Sequence, residues 1–434
     1  MTKLHRILIQ IAMVLLLLAA CHTSEKTQAL VPTFTQEDLQ ELAPVVSNNQ
    51  NSSTEVQRPV DVQINIAPKD RLSSRLDSLM NDPWLKTTQM GLYIYDLTDN
   101  RPLYDQGKHQ RMRPASTMKV ITAITALAQL GGDYNYSTRL YTNGKIKGGK
   151  LMGDIYVRGG FDPLFDNKGI NAFISALTKK GIKRIQGNLI IDLSMKDKDK
   201  AGAGWCWDDK NPSLSPMLFK GKDTFGTIFI KALQNRGISI SSKIKTGRTP
   251  STANLIHNHK TPIAEILDPM MKESVNQDAE SLFYQIAAQT GKPYASGTDA
   301  SRYIKQFVNR ELHLDSNEYF FADGSGLSLY DYVTPELLVV ALKYAYEHKN
   351  IYDPLILSLP IAGVDGTLEH RMLHTAAYRN VYAKTGTVTG ICSLAGYATA
   401  ANGHTLCFAI INQGQKRSAE ARIFQDKVCC IMTE

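Results

Sequence analysis

Residues 114 to 123 read Pro114-Ala115-Ser116-Thr117-Met118-Lys119-Val120-Ile121-Thr122-Ala123. From this point Val120, Ile121, Ile124, Leu127 and Leu130 recur at the spacing of one apolar helix face, and Gly131-Gly132 ends it. The pattern predicts a buried helix entered through Ser116. One helical turn carries the chain from Ser116 to Lys119, so the hydroxyl and the amine share a face with Cβ atoms about 5–6 Å apart. A serine at a helix N-terminus also sits where the dipole favours developing negative charge. A lysine amine acts as a base only where burial or a nearby cation lowers its pKa.

An S-x-x-K alone is weak evidence, because ordinary Ser and Lys usage supplies about one or two in a chain of this length. Ser242-Lys243-Ile244-Lys245 fits as well. Two further triplets give it weight. Ser274-Val275-Asn276 offers a hydroxyl and an amide just before an apolar helix marked by Ala279, Leu282, Phe283 and Ile286. Lys384-Thr385-Gly386 lies on an apolar strand near the C-terminus. Each has a decoy, Ser47-Asn48-Asn49 and Lys245-Thr246-Gly247. The first decoy lies in a low-complexity stretch, and the second abuts the decoy S-x-x-K, so those cannot form three walls of one cleft. The set S-x-x-K, S-x-N, K-T-G, in that order, is the signature of penicillin-binding proteins and serine β-lactamases.

Longer strings narrow the likeness. The 114–123 segment resembles the nucleophile region of low-molecular-mass penicillin-binding proteins of the D-alanyl-D-alanine carboxypeptidase/endopeptidase family. So do Ser274-Val275-Asn276 with Ala279-Glu280, Asp323 to Ser328, Leu359 to Leu368, and Ala383-Lys384-Thr385-Gly386-Thr387. The likeness runs in order from about residue 70 to the C-terminus. It implies an α/β (α+β) fold in which an antiparallel sheet is flanked by helices, with an all-helical subdomain and one inserted β-rich domain. The peptidase domain is expected at 68–139 plus 258–434, and the insertion at 140–257.

The resemblance also implies roles. Ser116 would be the acylated nucleophile, Lys119 its base, Ser274 a proton relay and Asn276 a holder of the substrate amide. Lys384 and Thr385 would bind the terminal carboxylate beside Gly386. The oxyanion would rest between the backbone N–H groups of Ser116 and Thr387. Trp205-Cys206-Trp207-Asp208-Asp209 resembles a W-P-W-[ND]-D segment, which makes Asp209 a candidate for the amino end of a diaminopimelate side chain. The position that is often Arg in the family, a partner for that side chain's carboxylate, is Leu329 here. Expected partners are peptidoglycan stem peptides, with β-lactams as covalent inhibitors. A serine β-lactamase and a non-catalytic wall-binding lipoprotein are the rival functions. The first would need a dedicated deacylating base, and no matching Glu-containing motif appears.

The remaining chain fits this setting. Lys3, His5 and Arg6 precede an apolar run, Ile7 to Ala20, which is too short for a bilayer core of about 30 Å but long enough for a signal peptide. It ends in Leu18-Ala19-Ala20-Cys21, which resembles a lipobox, so 1–21 is expected to be a lipoprotein signal and Cys21 the lipidated residue of a periplasmic, membrane-anchored protein. Residues 22–67, rich in Gln, Asn, Ser and Thr, are expected to be a flexible tether.

A net charge of +8 favours an anionic wall or membrane surface, and neither zinc-finger spacing nor a basic zipper argues for nucleic acid. No cofactor motif and no metal-ligand set is read. His370 and His374, four apart, are expected on a surface helix. Five cysteines besides Cys21 give no disulfide framework. Coarser readings are a strand at Met90–Asp96 and an exposed loop at Lys196–Lys200. Trp205 and Trp207 are read as packing residues. Two C-terminal strands, Val381–Tyr397 and Thr405–Asn412, are joined through Asn402-Gly403.

Overall fold

The computed structural model describes residues 71–240 and 243–434. The signal run, Cys21, the tether, Ser47-Asn48-Asn49 and Ser242 lie outside the described residues. The chain opens with α1 (Arg71–Leu79), then β1 (Gln89–Asp96) and β2 (Arg101–Gln106), which pair through the turn between them. A single 3₁₀ turn, Ala115–Thr117, leads into α2 (Met118–Leu130), and Gly131 ends it with a φ of 82°. Ser116 therefore stands in the turn just before the α-helix.

A long hairpin follows, β3 (Asn135–Lys147) and β4 (Lys150–Arg158), then α3 (Asn167–Lys179), β5 (Arg184–Ile185) and β6 (Leu189–Asp192). Next come α4 (Phe225–Asn235), β7 (Ser239–Ile240), β8 (Ile244–Thr246) and β9 (Asn254–Pro262). Five helices succeed them: α5 (Ile263–Lys272), α6 (Asn276–Ala287), α7 (Gly297–Arg310), α8 (Pro335–Glu347) and α9 (Lys349–Ser358). The chain closes with β10 (Tyr382–Val388), β11 (Ile391–Thr399), β12 (Thr405–Gln413) and α10 (Ser418–Thr433).

The first sheet is antiparallel throughout, in the order β10-β11-β12-β1-β2. Its centre is apolar on both faces. On β12, Cys407, Ala409 and Ile411 enter one hydrophobic cluster, while Leu406, Phe408 and Ile410 enter another. The first cluster holds α2, α5, α6 and α8, and the second holds α1 and α10. Side chains alternate across a strand, so a sheet between two helical layers reads as an unbroken apolar run.

That is why the Val381–Tyr397 segment looked like one strand. It is two, β10 and β11, folded at Gly390, whose φ of 76° suits a residue without Cβ. The closing helix α10, with Ala421, Phe424, Val428 and Met432 buried at helical spacing, adds an element that the sequence reading does not include.

The second sheet, in the order β7-β5-β4-β3-β9 with β6 and β8 alongside, has its own cluster. Leu140, Leu151, Ile155 and Val157 pack there against Phe165, Phe173, Phe225 and Phe229. The decoy Lys245-Thr246-Gly247 begins on its exposed strand β8.

Three further expectations are corrected. Lys196 is not a loop residue in solvent. It is buried, its ammonium pairs with Asp197 Oδ1 at 2.6 Å, donates to Asp199 O at 2.6 Å, and lies over the Tyr284 ring. His370 and His374 stand in irregular turns rather than a helix, and His374 has a φ of 59°. Trp205 packs against the main core, whereas Trp207 is 93% exposed. Cys206, Cys392, Cys407, Cys429 and Cys430 are all free thiols. No helix among the described residues is long and apolar enough to cross a membrane.

Candidate active site

The three triplets meet beside the open edge of the first sheet. Lys119 Nζ donates to Ser116 Oγ at 2.9 Å, to Asn276 Oδ1 at 2.7 Å and to the Ser325 carbonyl at 2.9 Å. The lysine is fully buried, and burial lowers its pKa to about 8 against the opposing pull of Asp323, Glu280 and Asp278. Its partners come from the turn just before α2, from the first residue of α6, and from the 323–328 loop, so tertiary packing brings the last two to it.

The nucleophile turn is wedged from two sides. Gly386 on β10 packs so closely that a Cβ there would lie 2.2 Å from Ser393 Oγ and 2.8 Å from Ser116 N. Ser393 Oγ, on the neighbouring strand, donates to Pro114 O at 2.6 Å. On the other side, a Cβ on Gly326 would meet Ala115 O at 1.9 Å. Ala115 adopts a φ of 47° and Ser274 a φ of 60°. Such left-handed conformations cost on the order of 1–3 kcal/mol in a non-glycine residue and persist where surrounding packing over-determines them.

β10 is the edge strand, and its Ala383 N–H donates outward to Pro360 O. The two-residue period of a strand points the N–H groups of Thr385 and Thr387 to the same open edge. Thr385 Oγ1 donates to Thr367 Oγ1 at 2.8 Å. The Thr367 loop is itself pinned by Lys272 Nζ, which bonds Asp365 Oδ2 and Leu359 O, each at 2.6 Å. Lys384 is fully buried with its Nζ on Thr385 O at 2.8 Å, and burial together with Lys119 holds its pKa well below the usual lysine range.

Of the other predicted residues, Ser274 is half-buried two positions from Asn276, and its hydroxyl makes no hydrogen bond among the described residues. Asp209 is exposed on a loop that reaches the site through its neighbours. Trp205 Nε1 donates to Asp323 Oδ2 at 2.7 Å, and Leu329 N donates to Gly204 O at 3.0 Å.

Reading the triplets missed a layer of buried acids behind Lys119. The Asp323 carboxylate accepts from the N–H groups of Ser325, Gly326 and Ser328 and so shapes the loop that presents the Ser325 carbonyl. Glu280 accepts from Gly324 N, and burial, with Asp323 next, pushes its pKa up to about 8. Asp278 is pushed up to about 7 by burial, and burial together with Asp323 holds Asp331 well above the usual carboxylate range. Glu280 stands four residues after Asn276, so both share one face of α6, a spacing that could have flagged it.

With this geometry in place, comparison with known proteins is decisive. The model of the D-Ala-D-Ala carboxypeptidase 3 (S13) family matches residues 72–218 and 211–433. The chain belongs to that family. It is a hydrolase, a D-alanyl-D-alanine carboxypeptidase by family. Among its relatives is the D-alanyl-D-alanine carboxypeptidase DacB of Haemophilus influenzae, 27% identical over 406 residues, 74% of this chain and 84% of the relative. The crystal structure of penicillin binding protein 4 (dacB) from that organism superposes with a TM-score of 0.74 at 24% identity, over 83% of this chain and 98% of the other. The same protein complexed with a β-lactam matches at a TM-score of 0.67 and 25% identity, over 82% and 97% of the two chains.

A Gly386→Ala substitution drives a methyl into Ser393 Oγ and the Ser116 backbone. Displacing a reacting group by about 1 Å costs about 10²-fold in rate. Fluorescent-penicillin labelling of Gly386→Ala should slow by that order with an unchanged circular dichroism spectrum. Labelling at the parental rate would show that the close approach does not position the nucleophile.

Proposed function

We propose that the chain is a D-Ala-D-Ala carboxypeptidase and endopeptidase that works through an acyl-enzyme on Ser116. The observation that carries this is the buried amine of Lys119, held 2.9 Å from the Ser116 hydroxyl with its pKa lowered to about 8. In the free-base form Lys119 Nζ takes the proton as Ser116 Oγ attacks the carbonyl of the penultimate D-alanine. The oxyanion accepts from the N–H groups of Ser116 and Thr387, and losing one such donor typically costs about 10²–10³ in rate. Ser274 relays the proton to the leaving D-alanine, and Asn276 holds the substrate amide while keeping Lys119 aimed. The terminal carboxylate binds Thr385 and Lys384, giving that buried amine the counter-charge it lacks in the empty site. Water then releases the acyl group. β-Lactams acylate the same serine, with no leaving amine to depart.

The geometry supports two further readings. Asp209 lies on the loop anchored through Trp205 to the Asp323 turn, near enough in the chain to meet a substrate side chain. Leu329, in place of the arginine frequent in the family, offers that side chain's carboxylate no bidentate partner. Domain-wise, 68–139 and 258–434 form the peptidase, 140–257 the insertion, and 22–67 the tether of a periplasmic lipoprotein processed at Cys21.

Ser116→Ala should abolish both D-alanine release from a D-Ala-D-Ala peptide and the mass shift on incubation with penicillin; full turnover in that variant would overturn the mechanism. The acylation rate constant should rise about tenfold per pH unit up to about pH 8 and then level, because only neutral Lys119 accepts the proton. A flat profile between about pH 6 and 9 would remove Lys119 as the base. Finally, in bacterial lysates held at about 0.5 M salt, which screens ionic membrane contacts, Cys21→Ala should move the protein from the membrane to the soluble fraction. Unchanged fractionation would exclude lipidation there.

A further inference from the structure

Charge is divided unevenly along this chain. Residues 135–262 carry 22 Lys and Arg against 9 Asp and no Glu, a net of +13, whereas the whole chain is only +8. The excess gathers at one end of the second sheet. No Asp or Glu occurs in 134–153, 167–191 or 224–264. The β3–β4 hairpin turns through Gly148-Gly149, both at positive φ, between the paired residues Lys147 and Lys150. Lys150 is the register partner of Arg184 on β5. Lys183 N and Arg184 N both donate to Gly149 O, and α3 runs out at Lys179 and Lys180 just before them. Lys145, Lys147, Lys150, Lys179, Lys180, Lys183 and Arg184 are all exposed.

The tip is also amphipathic. Met152, 55% exposed, pairs with Lys145 and so lies on the face that carries Lys145, Lys147 and Lys150, while Ile146, 42% exposed, pairs with Leu151 on the opposite face. It lies far from the chemistry. Near the start of β3, the Tyr136 hydroxyl is 3.3 Å from Ser281 Oγ on α6, and the eleven further residues of strand to Lys147 span about 36 Å.

We propose that this hairpin end is a docking surface for an anionic phospholipid bilayer. Projecting lysines with Met152 between them suit a fluid, negatively charged surface into which that side chain dips, with Ile146 on the opposite face reaching it only at the hairpin's end. With a single arginine, Arg184, among seven basic residues that are all exposed, the tip is not built around one defined anion. Each lysine near such a surface strengthens binding about fivefold, and the effect falls with salt. The inference stands independently of the catalytic roles assigned above.

The test is flotation of the Cys21→Ala chain, which carries no lipid anchor, with vesicles of pure phosphatidylcholine and with vesicles about one-quarter phosphatidylglycerol. Parental protein should favour the anionic vesicles, and about 0.5 M salt should remove the preference. A protein carrying Lys145→Glu, Lys147→Glu, Lys150→Glu and Lys183→Glu should lose at least a hundredfold of the anionic-lipid partition. Its D-alanine release from a soluble peptide should be unchanged, which shows the fold and site intact. The corresponding four Lys→Gln changes, which neutralise without reversing charge, should give an intermediate loss and serve if the reversal impairs folding. Equal partition of parental and substituted proteins onto anionic vesicles overturns the proposal. So does a parental protein without lipid preference, including one that instead binds isolated wall polymer through the same lysines.

Discussion

A lysine amine placed where water cannot reach it is the constraint around which this molecule is arranged. Removing an ammonium from water is costly unless hydrogen bonds and counter-charge replace hydration. Lys119 finds its three acceptors in side chains or backbone from three separate parts of the chain, and none lies in its own helix. Burial favours the neutral amine, and the carboxyl groups behind it favour the charged one. The balance leaves the group able to change protonation near neutrality, which is what a base in acyl transfer requires.

Around that amine the protein tolerates arrangements that would be faults elsewhere. Two non-glycine residues, Ala115 and Ser274, hold left-handed backbone beside two of the three triplets. Four acids, Asp278, Glu280, Asp323 and Asp331, lie in the interior, and the second oxygens of Asp278 and Asp331 have no partner. Such strain is sustained by rigid surroundings. A five-stranded sheet packed on both faces provides them, because its strands cannot slide without moving alternate side chains out of two cores at once. The close seats of Gly386 and Gly326 transmit that rigidity directly to the nucleophile turn.

The second sheet stands apart in chemistry as well as in architecture. Its aromatic cluster is self-contained, yet Tyr136 and the Trp205 loop tie it back to α6 and the Asp323 turn. One region thus contributes both a wall of the cleft and a remote basic end, and the long β3 strand connects the two.

Much of this was legible before any coordinates. Local spacing determined α2 with Ser116 and Lys119 one turn apart, the strand at residues 90–96, and the helix after Asn276, because helix and strand periods are set by short-range geometry. Order and flanking sequence separated the true triplets from their decoys. Tertiary structure decided the rest. The split of β10 from β11 was hidden because a strand covered on both faces carries no alternation, and Lys196 was hidden because one carboxylate neighbour and an aromatic ring bury a lysine that reads as solvated. The acid layer behind Lys119 could not be weighed from sequence, since an amine's basicity depends on which charges and how little water lie within a few ångströms. That arrangement is fixed by long-range packing, which no local pattern records.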